Sequence, residues 1–548
     1  MLSKVLDKTF LALCGLALFI RLFLEPTLNN SGAFARENIS VLANSLVLFV
    51  ISFLFILKKT VLKENIRCPK VFWPLGLFCL IASLSIFYSV DTPSSLRFIL
   101  DLWSSFFFMI VLVNLLDSIK SIEIVVGVLI TLAVIAGAEA AYNYLVILPQ
   151  ILAHKINGVP YTDRGIQQLL NTHRTPTLFG WPNILAGFLV MTIPLMAAFL
   201  VPNRRLIIKI LAGIAIVIAL YALYITLTIS SWGGILVGVT ASFLLIKRIS
   251  LDYQGKIWFF SIASLMIILI AFFFSQKMNL PHGNSLNARW QYFTSACCLI
   301  KLHPILGSGW RSYGIANVPF IKNINGRSDF VHNSYLQIWA EIGIFGLMAF
   351  LSFLWLLGKD SIKLFDERHH QNCWLAGAIV AGIVGCMVDN LFSYTMIKPQ
   401  VALFWWVLCA LAISLKENLI TRTPALKNQM LFKKIFLVLT IVGGIMTVRL
   451  TLAEFYFFTA VDNIHRDMQY EQAELLCRKA HGLNPWDKKF DLARAFALYG
   501  SFAQSHDIHT LLLAREAALL SEGQISLGSE REAILKNIND ALLASHLR

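Results

Sequence analysis

Apolar runs of about 17–25 residues recur from end to end of this chain, each long enough to cross ~30 Å of hydrocarbon as a helix. Backbone amides in lipid have no water to bond, so each run must satisfy its own hydrogen bonds, which a helix does. Hydrophobic residues make up 57% of the 548, charged residues 14%, and mean hydropathy is +0.69. A soluble chain of this length needs more polar surface to cover its core. The expectation is an all-α fold, a polytopic transmembrane helical bundle of about thirteen spans. They fall near 9–25, 41–57, 71–89, 96–116, 122–147, 183–201, 206–226, 231–246, 257–274, 334–357, 373–392, 400–415 and 435–456.

Lysine and arginine in short loops give the orientation. Lys58, Lys59, Lys63, Arg67 and Lys70 follow the second span, Arg204 and Arg205 the sixth. Lys247, Arg248 and Lys256 follow the eighth; Lys416, Arg422, Lys427, Lys433 and Lys434 the twelfth. With a cytoplasmic N-terminus every cluster falls on the cytoplasmic side. Loops of roughly 148–182 and 275–333, and everything after 456, then lie outside the cytoplasmic membrane. Ala33-Phe34-Ala35 has the look of a cleavage site but lies too far beyond the first apolar run, so that run reads as an uncleaved span.

The net charge of +15 is largely loop charge and carries no nucleic-acid signal. Nine cysteines are scattered, mostly within apolar spans, with no zinc-like spacing. Cys297 and Cys298 read as small packing residues. No metal and no cofactor are expected, and no P-loop is present.

The polar segments hold the informative motifs. Between Asn287 and Gly346 come Arg289, His303-Pro304, Gly307-Ser308-Gly309, His332-Asn333-Ser334, Glu341, Gly343 and Gly346. Upstream stand Arg174, Thr177, Phe179, Pro182, Asn183 and Ala186. Over roughly 165–415 the chain resembles the O-antigen ligase/polymerase superfamily. Its members carry an arginine fifteen residues before a Pro-x-x-Gly-x-Gly turn, then a His-Asn-x-x-Leu…Glu-x-Gly-x-x-Gly block, and an upstream Arg…Thr-Phe…Pro-Asn-x-x-Ala motif. One departure stands out: many members have Ser-Arg at the outer start of the eighth span, where this chain has Ser230-Ser231-Trp232. Arg311 is the candidate substitute for that cation.

The resemblance implies a polyprenyl-diphosphate-linked glycan donor, an inverting, metal-independent glycosyl transfer, and a lipid, glycan or protein acceptor. Charge gathers on diphosphate oxygens as the glycosidic bond breaks, and arginine binds such oxygens in pairs without losing its proton. Arg289 and Arg174, with Arg311, take that role. A neutral histidine can accept the acceptor's proton, and His332 is the catalytic candidate. Asn183, Asn333 and Glu341 are supporting residues. The bland readings run beside these: His332 as an interfacial residue or helix cap, Arg289 snorkelling to headgroups or pairing with Asp329, Glu341 bonding an arginine across the bundle. Gly343, Gly346 and the Gly377, Ala381, Gly385 series read as close-packing positions. Asp389 and Asn390 either line a cavity or cap a helix. Phe404-Trp405-Trp406 reads as an interfacial or lipid-facing belt.

Residues 1–456 thus form the membrane domain. Residues 457–548 form an extracytoplasmic helical-repeat-like region, with amphipathic helices near Tyr470–Leu483 and Asp507–Leu520. Ala473, Cys477 and Ala480 before Asn484-Pro485-Trp486 resemble the second helix of a tetratricopeptide repeat, and Phe457 and Ile464 suit its first. Such a surface suits an extracytoplasmic protein partner. Membrane lipids surround the bundle. The reading is a ligase of the cytoplasmic (inner) membrane in cell-surface polysaccharide or lipopolysaccharide assembly. The alternatives are a polymerase of the same superfamily or a small-anion, bicarbonate-like transporter.

Overall fold

Side-chain caps set several of the helix starts, and a buried small-residue seam sets one helix crossing. In the computed structural model Asp91 caps a helix by accepting from the Ser94 amide at 3.3 Å, Ser118 and Ser121 form a reciprocal capping box, and Asn333 accepts from the Leu336 amide at 2.9 Å. The structure describes residues 2–28, 33–156, 174, 176–201, 204–246, 283–321, 328–365, 372–420, 428–522 and 527–546. The expected span 257–274, most of loop 148–182, and the charges Lys247, Arg248, Lys256, Arg422 and Lys427 lie outside the described residues.

The helices are α1 (Leu2–Leu28), α2 (Ala33–Val61), α3 (Phe72–Leu84), α4 (Thr92–Leu115), α5 (Ile119–Tyr142), α6 (Leu148–Ile156), α7 (Pro182–Ala197), α8 (Leu206–Ile225) and α9 (Ile229–Ile246). They continue with α10 (Gly283–Leu302), α11 (Ser334–Ile362), α12 (Cys373–Asp389), α13 (Pro399–Leu419) and α14 (Gln429–Asp462). The C-terminal region adds α15 (Tyr470–Leu483), α16 (Lys489–Ser505), α17 (Ile508–Leu520) and α18 (Gly528–His546). Among the described residues 8 helical stretches are long and apolar enough to cross a membrane, and Phe72–Phe87, Pro182–Ala197 and Cys373–Asp389 are shorter apolar helices. Every expected span except 257–274 coincides with a described helix.

The loop charges gather at one end of the bundle. Lys58 meets Asp7 at 2.6 Å and Lys59 meets Glu64 at 2.8 Å. Lys433 donates to the Lys59 carbonyl at 3.1 Å, and Arg67 to the Val113 carbonyl at 3.0 Å. At the opposite end lie the starts of α7, α9, α11 and α13, the ends of α5, α8 and α12, and the C-terminal helices.

Helix α13 is the core. Phe404 is 1% exposed and Trp405 0%. This corrects the reading of the aromatic run as a lipid-facing belt: α13 is ringed by α4, α5, α7, α11 and α12, so its aromatics fill the protein interior. The α9–α12 seam is the tightest crossing. A β-carbon on Gly238 would overlap the Ala381 carbonyl and one on Gly234 the Gly385 carbonyl, so small residues let the backbones touch, as the spacing suggested. Cys297 and Cys298 are both exposed on α10 rather than packed.

Helix α11 is broken at Ile342-Gly343, where Gly343 has φ +68° and ψ −174°, a conformation essentially reserved for glycine. The Pro304–Gly309 turn plugs the break. Its Ser308 and Gly309 amides donate to the Ala340 and Glu341 carbonyls at 3.0 and 2.7 Å, and its Pro304 carbonyl accepts from the Ile344 amide at 3.1 Å. The two glycine motifs are therefore one unit, and Gly343 serves this insertion rather than helix–helix packing. A β-carbon on Gly346 would meet the Ile342 side chain of the break itself.

Candidate functional site

Loop ends converge opposite the basic end of the bundle. His332 precedes the Asn333 cap of α11 in the left-handed region, φ +58°. Asn390 holds this entry: its carbonyl accepts from the Ser334 amide at 3.0 Å, and its side chain bonds the Ser334 hydroxyl at 2.7 Å, the Thr395 hydroxyl at 2.8 Å and the Met396 amide at 3.0 Å. Asn390 thus ties the α12–α13 connection to the start of α11.

The His332 imidazole stacks on Tyr292 from α10, 5.2 Å between centroids and 17° between planes. Its other neighbour is Tyr394, 4.7 Å away and nearly perpendicular at 86°. Among the described residues neither ring nitrogen is hydrogen-bonded. Burial, then the charge of Arg289, pushes the His332 pKa down to about 3, so the ring is neutral and able to accept a proton.

Arg174 and Arg289 share this place. Burial, then the nearness of Arg289, lowers Arg174 to about 10, and burial lowers Arg289, opposed by Asp389 and Tyr292. Arg174 reaches the Thr228 hydroxyl at 3.4 Å while its Nε is buried without a partner among the described residues. Arg289 makes no hydrogen bond or ion pair among the described residues, and the expected pairing with Asp329 does not form; Asp329 lies against Gly314. Two under-satisfied guanidiniums beside each other form a site suited to an anion.

Asp389 balances part of that charge. It is fully buried at the end of α12, accepts from the Ser231 hydroxyl at 2.9 Å, and leaves Oδ2 without a partner among the described residues. Ser231 stands where a neighbouring arginine is usual, and here its hydroxyl anchors the carboxylate instead. Asn183 approaches the Tyr394 hydroxyl at 3.5 Å. Trp181 and Trp290, adjoining this cluster in sequence, are 40% and 69% exposed, as aromatic anchors at a membrane interface are.

Arg311 is not brought to this cluster. Its guanidinium lies 4.3 Å from the Phe98 ring centroid and 4.4 Å from that of Phe330, between the two. Phe330, which it touches, stacks on Tyr394, and Tyr394 is the ring that meets His332. Glu341 explains its backbone: the carboxylate accepts from the Arg311 amide at 2.8 Å, the Tyr313 amide at 3.3 Å and the Gln337 side chain at 2.9 Å. Glu341 therefore holds backbone of the inserted turn, a structural role made through amides rather than through a guanidinium. Tyr292, Tyr394 and Phe330 were not singled out in the sequence; only their closeness to motif residues marks them.

Residues 214–351 match the O-antigen ligase family model, which takes in Arg289, His332 and both glycine motifs and leaves out Arg174 and Asn183. No curated protein matches the chain.

Proposed function

We propose that this chain, an O-antigen ligase superfamily membrane protein by its match over residues 214–351, transfers a glycan from a polyprenyl-diphosphate-linked donor to an acceptor at the outer face of the cytoplasmic membrane. The family match supports a ligase- or polymerase-like role in O-antigen or polysaccharide assembly. The observation that carries the finer reading is the meeting of Arg174, Arg289 and a neutral His332 at the bundle end opposite the basic loops.

Arg174 and Arg289 bind the diphosphate oxygens, and their charge counts for more beside lipid-facing walls than in water. The acceptor hydroxyl attacks the anomeric carbon from the face opposite the leaving group. A carbon–oxygen bond forms, the glycosyl–phosphate bond breaks with inversion, and its electron pair leaves on the polyprenyl diphosphate. The acceptor's proton passes to His332. In the free protein His332 is a weak base, but a bound diphosphate offsets Arg289 and raises its basicity when the acceptor arrives. The energy is stored in the donor linkage, so the proposed step draws on no metal and no nucleotide.

Ligation and polymerisation differ only in the acceptor. The short loops and the docked C-terminal helices favour a ligase, with residues 457–548 receiving an extracytoplasmic partner or acceptor. Deleting the gene should make polyprenyl-linked glycan accumulate, and His332→Ala should fail to restore product. A deletion without accumulation, or a rescuing alanine variant, overturns the assignment. Loss of chain length with unchanged attachment would identify a polymerase.

A further inference from the structure

A base that works by proton transfer must be held to within a fraction of an ångström, normally by a hydrogen bond to its second nitrogen. His332 makes none among the described residues, where its ring contacts are Tyr292 and Tyr394. The geometry points to Tyr394 as the positioning residue for His332, its ring fixing the plane of the imidazole in place of a hydrogen bond. The inference rests on the transfer reading with His332 as base.

Tyr394 is itself immobilised. Its carbonyl accepts from the Ile397 and Lys398 amides at 3.1 and 2.9 Å, and its ring stacks on Phe330 at 4.0 Å and 20°. Arg311 lies 4.4 Å from the same Phe330 centroid. The Lys398 ammonium lies 5.1 Å from that centroid as well. Pairwise contacts run from Phe98 to Arg311, Phe330, Tyr394, His332 and Tyr292. Each member is fixed by the next, and the far end is anchored where Ser95, three residues before Phe98, donates to the Trp310 carbonyl at 2.6 Å. Stacked and perpendicular aromatic pairs of this kind hold each other beyond what buried area alone supplies. Gly187 makes room for the same connection: a β-carbon there would overlap Thr395. Arg311, in a left-handed backbone conformation at φ +62°, sits inside this series in contact with both Phe98 and Phe330.

The test uses the full chain in membranes of the deletion strain, which supply donor and acceptor, with rate measured against extracted lipid-linked glycan. Tyr394→Leu should lower kcat by about 10–100-fold, the penalty of a misplaced catalytic group, with KM for the donor within about twofold. Tyr394→Phe, which keeps the ring, should recover most of that loss. The double variant His332→Ala/Tyr394→Leu should be no slower than His332→Ala alone, because a positioning residue has nothing left to position. If Tyr394→Leu fails to fold, Tyr292→Leu reports on the other ring contact with the same expected pattern. Effects that multiply in the double variant, that fall on KM, or that are not recovered by phenylalanine overturn the inference. His332→Ala with the wild-type rate would instead sink the transfer reading itself, and this inference with it.

Discussion

Gly343 lies so close to Ile305 that a β-carbon on it would overlap the Ile305 carbonyl. The obstacle is backbone on both sides, and Gly343 also holds a φ and ψ that other residues avoid. Gly343→Ala must therefore expel the Pro304–Gly309 turn or straighten α11, and either change moves His332. We expect a loss of about 2 kcal/mol or more, read as a lower thermal midpoint in detergent, together with lost transfer. Gly233→Ala on α9, where nothing lies within 4 Å, should not lower the midpoint.

Glu341 supports the same turn from inside α11. Alanine there leaves the Arg311 and Tyr313 amides without their acceptor in a fully buried place. An abandoned buried donor costs about 1–3 kcal/mol, so Glu341→Ala should unfold at clearly lower temperature. Glutamine keeps one oxygen and turns an N–H₂ toward the other amide, so an intermediate midpoint is expected. A midpoint equal to wild type would contradict the bonding described.

Spans, caps and the motif residues were readable because each depends on local pattern: apolar length, Asn333 before a helical run, glycine and proline spacing. What was not readable depends on which helix ends up in the middle. Trp405 looks the same in sequence whether it faces lipid or the protein interior, and only the packing of helices around α13 decides. Gly343 could be placed as a small residue in a span, but its role comes from a turn inserted 34–39 residues earlier in the chain. Tyr292 and Tyr394 belong to no spacing rule; α10 and the α12–α13 connection bring them to His332. Arg311 misleads for a related reason, since a cation beside a motif suggests substrate while the Phe98 and Phe330 rings that enclose it are distant in sequence.

The C-terminal helices are bolted to α4 by buried charges. Arg97 meets Glu454 at 3.3 Å and Asp487 at 3.1 Å, and Lys489 meets the same two carboxylates at 2.7 and 3.2 Å. Burial would raise the Asp487 carboxyl, but Lys489 and Arg97 outweigh it and hold it low. Removing one partner of such a network typically costs about 3–5 kcal/mol because the others stay buried and unbalanced. Asp487→Ala should release α15–α18 from the bundle, seen as faster amide exchange and protease cleavage near residue 487 while the membrane helices stay protected. If the domain remains equally protected, the charge network is not what docks it.

The pH dependence of transfer tests the electrostatics of the arginine pair. Burial and Arg289 hold the His332 pKa down at about 3 in the free protein, below its ordinary value near 6.5. The neutral form is thus favoured by folding: this contribution to stability is present above pH ~6.5 and is lost as pH falls toward 3. For catalysis, kcat/KM reports the free protein, so its acid limb should lie well below 6.5. A bound diphosphate cancels the Arg289 field, so the acid limb of kcat should lie higher than that of kcat/KM. Arg289→Gln removes the positive charge before substrate binds, and the acid limb of kcat/KM should move up in pH while KM for the lipid-linked donor rises. A limb that stays in place, or moves down, would mean that Arg289 does not act on His332 and that the two do not share one ligand.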